Sequence, residues 1–278
     1  MFKAAVGERV GTFYGRAFIR SCQQLPSPYS GDCGFSGAAF QRNQDGFIVW
    51  VGAGNTVNDG ITKNLWETQL PGTSAPWGVA TNWGMPIILR GGGATGTSAK
   101  IVPLGNALPD FHFAVSQDFS WRRFSAYALL DAAIGQRVWD EGFHWAHLDF
   151  LSNDVDQTGR SVQTAKPIGY YWRAGSPDGG GIGGFYDILG PTNYSVEDAS
   201  YAKLRELAVT YRVGPISGVG NWEVSVIGRN LFTITGYRGF DPEVGVVGGE
   251  SASGAVNAVD AFTFPNLRTF SFAVSTSF

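Results

Sequence analysis

NLRTFSFAVSTSF, residues 266–278, alternates cleanly once past Arg268: Phe270, Phe272, Val274, Thr276 and Phe278 fall on one face, and Thr269, Ser271, Ala273, Ser275 and Ser277 on the other. Successive side chains of a strand point to opposite sides, so this segment reads as a strand with one apolar face. Strands of a soluble sandwich alternate too. Here, however, the polar face is small and uncharged and the run ends on an aromatic, as in strands that turn lipid outward and a lumen inward. The expectation is an all-β, antiparallel transmembrane barrel with Phe270, Phe272 and Val274 facing lipid.

The same pattern recurs upstream. In NWEVSVIGRNLF, residues 221–232, Trp222, Val224 and Val226 oppose Glu223 and Ser225. YAKLRELAVTYRVG, residues 201–214, alternates Leu204, Glu206, Ala208 and Thr210 with Tyr201, Lys203, Arg205, Leu207, Val209 and Tyr211, up to the turn signal Gly214-Pro215. The clearest hairpin is DFHFAVSQDFSWRRFSAYALLDAAIG, residues 110–135, with Arg122 and Arg123 as its short connection. Between the strands lie four long stretches dense in Gly, Pro, Asn, Asp or Ser, at 22–58, 68–106, 139–196 and 233–260. Loops beyond about 12–15 residues are uncommon in compact soluble domains, whereas membrane barrels pair short turns with long external loops.

Composition agrees. Charged residues are 15% of the 278, against roughly 25% in ordinary soluble domains, and aromatics are 14%. No apolar run approaches the roughly 18 residues of a membrane helix, while barrel strands dilute their apolar half with a polar half, consistent with a mean hydropathy of -0.04. A net charge of -3 without a Lys/Arg cluster argues against a nucleic-acid partner. Cys22 and Cys33, the only cysteines, sit in a Pro/Ser/Gly-rich stretch, where they are either a loop disulfide of an oxidising compartment or two unpaired thiols. MFKAAVGERVGTFYG has no apolar core of signal-peptide length, so export is expected to depend on sequence outside this segment.

Motifs for chemistry are weak. Gly179, Gly181 and Gly184 satisfy G-x-G-x-x-G, but no buried strand precedes them and no amphipathic helix follows. His144 and His147 with Asp140, Glu141 and Asp149 have metal-ligand chemistry, yet they follow a strand end beside Trp139 and Trp145 and read as an interfacial loop. Asp154 and Asp156 suggest calcium, but Ala165 stands where the bidentate Glu of a calcium loop belongs. No catalytic residue, metal site or cofactor is expected, and no ligand-binding residue can be named. Trp121, Trp139, Trp172, Trp222 and Tyr211 suit interfacial girdles, while Trp50, Trp66, Trp77 and Trp83 lie where a substrate or partner could be touched.

Several segments, in order, resemble the SusC/RagA class of TonB-linked outer-membrane proteins: VGERVGTFYGRAF (6–18), the Gly-Asn-x-x-Pro hairpin beginning LGNALPD (104–110), VEDASYAKLRELAVTYRV (196–213), GRNLFTITGYRGFDPEVG (228–245) and the terminal strand. The resemblance implies that residues 1–278 are the C-terminal portion of a barrel of about 22 strands with a plugged lumen. The signal peptide, TonB-contacting segment and plug would lie upstream. It further implies nutrient import, of a glycan oligomer or peptide, without covalent chemistry. The implied partners are outer-membrane lipid, a SusD-like surface lipoprotein, the TonB complex and the barrel insertion machinery, which would read Phe278 as its assembly signal. A stand-alone barrel or sandwich that binds carbohydrate is the rival reading, separated by whether the chain needs detergent.

Overall fold

The computed structural model describes residues 6–25, 27–57, 86–89, 100–149, 151–161, 172–174, 182–184, 190–216, 219–243 and 258–277. Among these the chain forms β1 (Thr12–Arg16), β2 (Phe40–Arg42), β3 (Ile48–Trp50), β4 (Ile101–Asn106), β5 (Phe111–Trp121), β6 (Phe124–Ile134), β7 (Arg137–Asp140) and helix α1 (Glu141–Leu148). It continues through β8 (Trp172–Ala174), β9 (Ile182–Gly184), β10 (Val196–Asp198), β11 (Tyr201–Ile216), β12 (Gly220–Thr235), β13 (Val259–Asp260) and β14 (Thr269–Ser277). The fold is all-β, as the alternation predicts, and no described helix is long and apolar enough to cross a membrane. Phe278, Trp66, Trp77, Trp83, Ala165, Gly179 and Gly181 lie outside the described residues.

Two compact units divide the chain. One takes in residues 1–8, 12–105 and 140–196, the other 9–11, 106–139 and 197–278.

In the first unit, residues 22–57 are not the open loop expected from their Gly and Ser content. β2 and β3 pair antiparallel, Phe40 opposite Trp50, and Ile19, Leu25, Ala39, Phe40, Ile48 and Ile87 form a core with Trp50 packed against it. Enough apolar side chains are interspersed among the turn residues to hold the turns together. Cys22 and Cys33 are bonded, with Cα atoms 5.7 Å apart, and both pack on this core. Ser21 and Gln24 cap the short 3-10 turn reciprocally: Ser21 Oγ accepts from the Gln23 amide at 3.3 Å and Gln24 Oε1 from the Ser21 amide at 3.0 Å. The acidic, His-bearing stretch read as a loop is instead α1. Asp140 starts it by accepting from the Phe143 amide at 2.7 Å, one of the donors a helix N-terminus leaves unpaired.

The second unit is dominated by a five-stranded sheet in the order β14-β12-β11-β6-β5, every neighbouring pair antiparallel. β5 and β6 join through the two residues Arg122 and Arg123, with Trp121 opposite Phe124. Arg122 takes φ +56, a conformation that such short hairpins require and that most side chains resist.

Candidate functional site

Residues directly opposite one another in an antiparallel pair lie on the same face, so the register sorts the sheet into two surfaces. One row runs Phe119, Ala126, Val209, Val226 and Phe272, and the next runs Trp121, Phe124, Tyr211, Val224 and Val274. A third runs Val115, Leu130, Leu204 and Phe232. Most of these side chains are exposed, Phe272 at 79%. The other face carries Ser120, Ser125, Thr210, Ser225 and Ala273 in one row, with the Thr210 and Ser225 hydroxyls 2.8 Å apart. Another of its rows is Ala114, Asp131, Lys203 and Thr233. An extensive exposed apolar surface backed by a polar one is rare on a soluble monomer.

β11 departs from the strict alternation read from its sequence. Its register shifts between Leu204 and Glu206 against both neighbours. Against β6 the extra residue of the bulge is Arg205 of β11, whereas against β12 the extra residue lies in β12, between Arg229 and Phe232. Leu204, Leu207, Val209 and Tyr211 therefore share the apolar surface, whereas Tyr201, Lys203, Glu206, Ala208 and Thr210 share the polar one with Asp131. Arg205, at the bulge, also turns to Asp131.

On that polar face the bulge completes a cluster of ions. Lys203, only 1% exposed, donates to Asp241 Oδ1 at 2.6 Å and Glu243 Oε2 at 2.7 Å. Arg205 donates from Nε to Asp131 Oδ2 at 2.9 Å and also pairs with Glu243. The Tyr201 hydroxyl donates to Glu243 Oε1 at 2.8 Å, and His112 Nε2 lies 2.8 Å from Asp131 Oδ1. The backbone of the opposite segment joins in: the amides of Glu243 and Asn266 both donate to Asp241 at 3.0 Å. Burial alone would raise the Glu243 carboxyl, but hydrogen bonds from Arg205, Lys203 and Tyr201 outweigh it and hold the group down to about 2. Asp241 is lowered in the same way, its burial outweighed by Lys203 and the two amides. A buried ammonium without such partners would be strongly unfavourable. Two cations and three carboxylates thus hold one another, and what they accomplish is to fasten residues 241–243 and 266 to the sheet.

The other candidates separate. His144 is buried in α1, whereas His147 Nε2 lies 3.3 Å from both the Tyr194 hydroxyl and Asp154 Oδ2, with Phe143 and Tyr194 rings against it. No group of three His, Cys, Asp or Glu side chains that could hold a metal occurs among the described residues. Asp156 is exposed and accepts from the Thr158 amide at 2.8 Å, a local turn bond. Trp121 and Tyr211 lie at the Arg122 end of the apolar face, Trp121 beneath the Arg122 guanidinium. The ion cluster escaped the sequence reading. Its signal was Asp131 standing alone among Ala and Leu in β6, a position whose partner had to come from elsewhere.

No family profile matches the chain. Among curated proteins, the TonB-dependent receptor P3 of Formosa agariphila (strain DSM 15362 / KCTC 12365 / LMG 23005 / KMM 3901 / M-2Alg 35-1) is 25% identical over 203 residues, 68% of this chain and 18% of that receptor. The chain is thus similar to a TonB-dependent receptor over two thirds of its own length. It spans about a fifth of the length of the receptor it matches. Among solved structures, the RagAB peptide importer in the "open-open" state is similar over 98% of this chain and 24% of its own, at 16% identity and a TM-score of 0.45. Its "closed-closed" state is similar over 95% and 23%, at 17% identity and a TM-score of 0.43.

The structure gives the motifs physical reasons. Gly15, in the Gly-Thr-Phe-Tyr-Gly pattern, passes so close to the Pro191 carbonyl that a Cβ would sit 1.8 Å from its oxygen. Asn106 of Gly-Asn-x-x-Pro accepts from the Leu108 amide at 2.8 Å and donates to the Val10 carbonyl at 3.1 Å. In Val-Glu-Asp, Glu197 binds Arg238 at 2.7 Å and Asp198 accepts from the Ser200 amide at 2.9 Å. Lys-Leu-Arg and Asp-Pro-Glu, apart in sequence, meet in the ion cluster, supplying both cations and two of its three carboxylates.

Proposed function

We propose that the five-stranded sheet is part of the wall of an outer-membrane β-barrel. The chain would be the C-terminal barrel portion of a TonB-linked importer of the SusC/RagA kind. The two-faced register carries the reading. β5 and β6 are 11 residues each, and at about 3.3 Å per residue and a tilt of about 45° such strands span about 25 Å, the height of the apolar band of a membrane barrel. Their apolar residues are displayed rather than packed, and the opposite face offers hydroxyls and ions suited to a wet lumen. In this reading Phe270, Phe272 and Val274 contact lipid, and the parent protein binds an oligomeric nutrient, a glycan or a peptide, between plug and external loops. A SusD-like lipoprotein partners it at the surface, TonB supplies the energy, and the protein performs no covalent chemistry.

The test is extraction and folding of the parent protein. It is expected to require detergent and to show a heat-dependent shift in gel mobility. A monodisperse protein in plain buffer, without that shift, would overturn the reading. Growth of a deletion strain on defined glycan or peptide sources then identifies the nutrient class.

A further inference from the structure

Two motifs that are weak when read alone place donor atoms side by side. His147 lies in the last turn of α1, and Asp154 in the short 3-10 turn Asn153–Val155. Tyr194 reaches the same point from a third segment. His147 Nε2 lies 3.3 Å from Asp154 Oδ2 and 3.3 Å from the Tyr194 hydroxyl, and that hydroxyl lies 3.4 Å from Asp154 Oδ2. The three atoms mark an almost equilateral triangle. Hydrogen bonding by itself does not favour that shape. A single hydroxyl proton serves one edge, and an imidazolium paired with a carboxylate closes to about 2.7–2.9 Å, which would leave short edges and a long one. Edges of the observed length belong instead to a tetrahedron whose corners stand about 2.0–2.1 Å from its centre, the distance of zinc from nitrogen and oxygen ligands. An octahedral magnesium at that distance would draw neighbouring ligands to about 2.9 Å, and calcium takes about six to eight oxygens.

Each corner is also supported. His147 Nδ1 lies 3.1 Å from the Phe143 carbonyl, which can only accept, so Nδ1 carries the ring proton and Nε2 of the neutral ring presents its lone pair. A bond of that kind from the far nitrogen is the usual support of a metal-bound imidazole. Tyr194, 9% exposed, packs against the Phe143 and Phe47 rings, with centroids 5.2 and 5.9 Å away. The Asp154 amide donates to Ser152 Oγ at 3.2 Å, which sets the turn that carries the carboxylate.

We propose that His147, Asp154 and Tyr194 bind one zinc ion, with water in the fourth position, and that the ion clips the end of α1 to the turn at 153–155 and to the segment 190–196. For His147 and Asp154 this replaces the expectation of no metal site. It stands apart from the barrel-wall reading, since all three residues belong to the first unit. Sequence spacing could not show it: of the cluster at 140–149 only His147 contributes, and its two companions come from other segments.

The test uses the full parent protein in detergent, stripped of metal with a chelator and titrated with zinc by calorimetry. Saturable binding is expected, and His147→Gln and Asp154→Asn should each weaken it by about tenfold or more. Asp156→Asn, outside the triangle, should leave it unchanged. Cobalt in the same site should give the intense visible absorption of a four-coordinate ion. Failure of the parent protein to take up zinc overturns the proposal. So does uptake that either His147→Gln or Asp154→Asn retains in full, because the ion then lies elsewhere or the trio is held by hydrogen bonds alone. A six-coordinate cobalt spectrum overturns the tetrahedral site. Both variants should keep the circular dichroism of the parent protein. Where they do not, the parent protein alone decides: zinc should slow proteolysis within residues 141–161, and an unchanged rate means there is no clip.

Discussion

The two units use the same residue type in opposite ways. In the first, Phe13, Phe18, Phe40 and Phe47 are almost wholly buried, and polar turns surround them. In the second, Phe111, Phe113, Phe119, Phe270 and Phe272 are exposed, while Lys203, Asp131 and Asp241 are buried. Phenylalanine gains free energy by leaving water whichever way it points, so the first unit's rings find that gain in a core of their own, whereas those of the sheet need an apolar medium beside them, which the barrel-wall proposal supplies.

The largest expected effect comes from opening the ion cluster. Lys203→Met leaves buried Asp241 without its cation, while Glu243 keeps Arg205, and breaking a buried pair costs about 3–5 kcal/mol. Denaturant unfolding of the membrane-inserted protein should show that loss, and an unchanged midpoint would mean the cluster is hydrated and slack. Next is a test of the two faces by one residue type. Val115→Lys should cost about 2–4 kcal/mol in lipid, while Ser116→Lys, its neighbour on the polar face, should cost much less. Equal costs would erase the distinction between the surfaces.

The first unit is challenged separately. Its disulfide closes a loop of sequence separation 11, and opening such a loop costs about 2–3 kcal/mol. Cys22→Ser with Cys33→Ser should speed proteolysis of residues 22–57 and leave the heat-modifiable barrel intact. Loss of the barrel instead would show that the units do not fold independently.

The smallest effect concerns acid. Glu243 is depressed from 4.5 to about 2, so its contribution is fully present above about 4.5 and disappears as pH falls through about 2. The parent protein should therefore lose stability across that window, and Glu243→Gln should flatten the profile there. A profile identical in both proteins would remove Glu243 from the account of acid sensitivity.

Much of the sheet was legible beforehand. β14, β12 and the β5–β6 hairpin emerge from period-two alternation and a two-residue connection, because side-chain direction along a strand is set locally. The compact fold of residues 22–57 was not, since Gly and Ser content marks turns but does not reveal whether scattered apolar residues converge. Helix α1 was missed for a related reason: its eight residues carry no strong periodic signal, and a cap at Asp140 defines it.

By itself, the sequence determined the two-faced strands, the short turn at Arg122 and the kinship expressed in its motifs, all of which reside in neighbouring residues. Only the tertiary structure decided that β11 bulges at Arg205, that Lys-Leu-Arg meets Asp-Pro-Glu, and that His147, Asp154 and Tyr194 converge. Those depend on register and on the return of a distant segment, and one residue of slip moves every side chain of a strand to the other face.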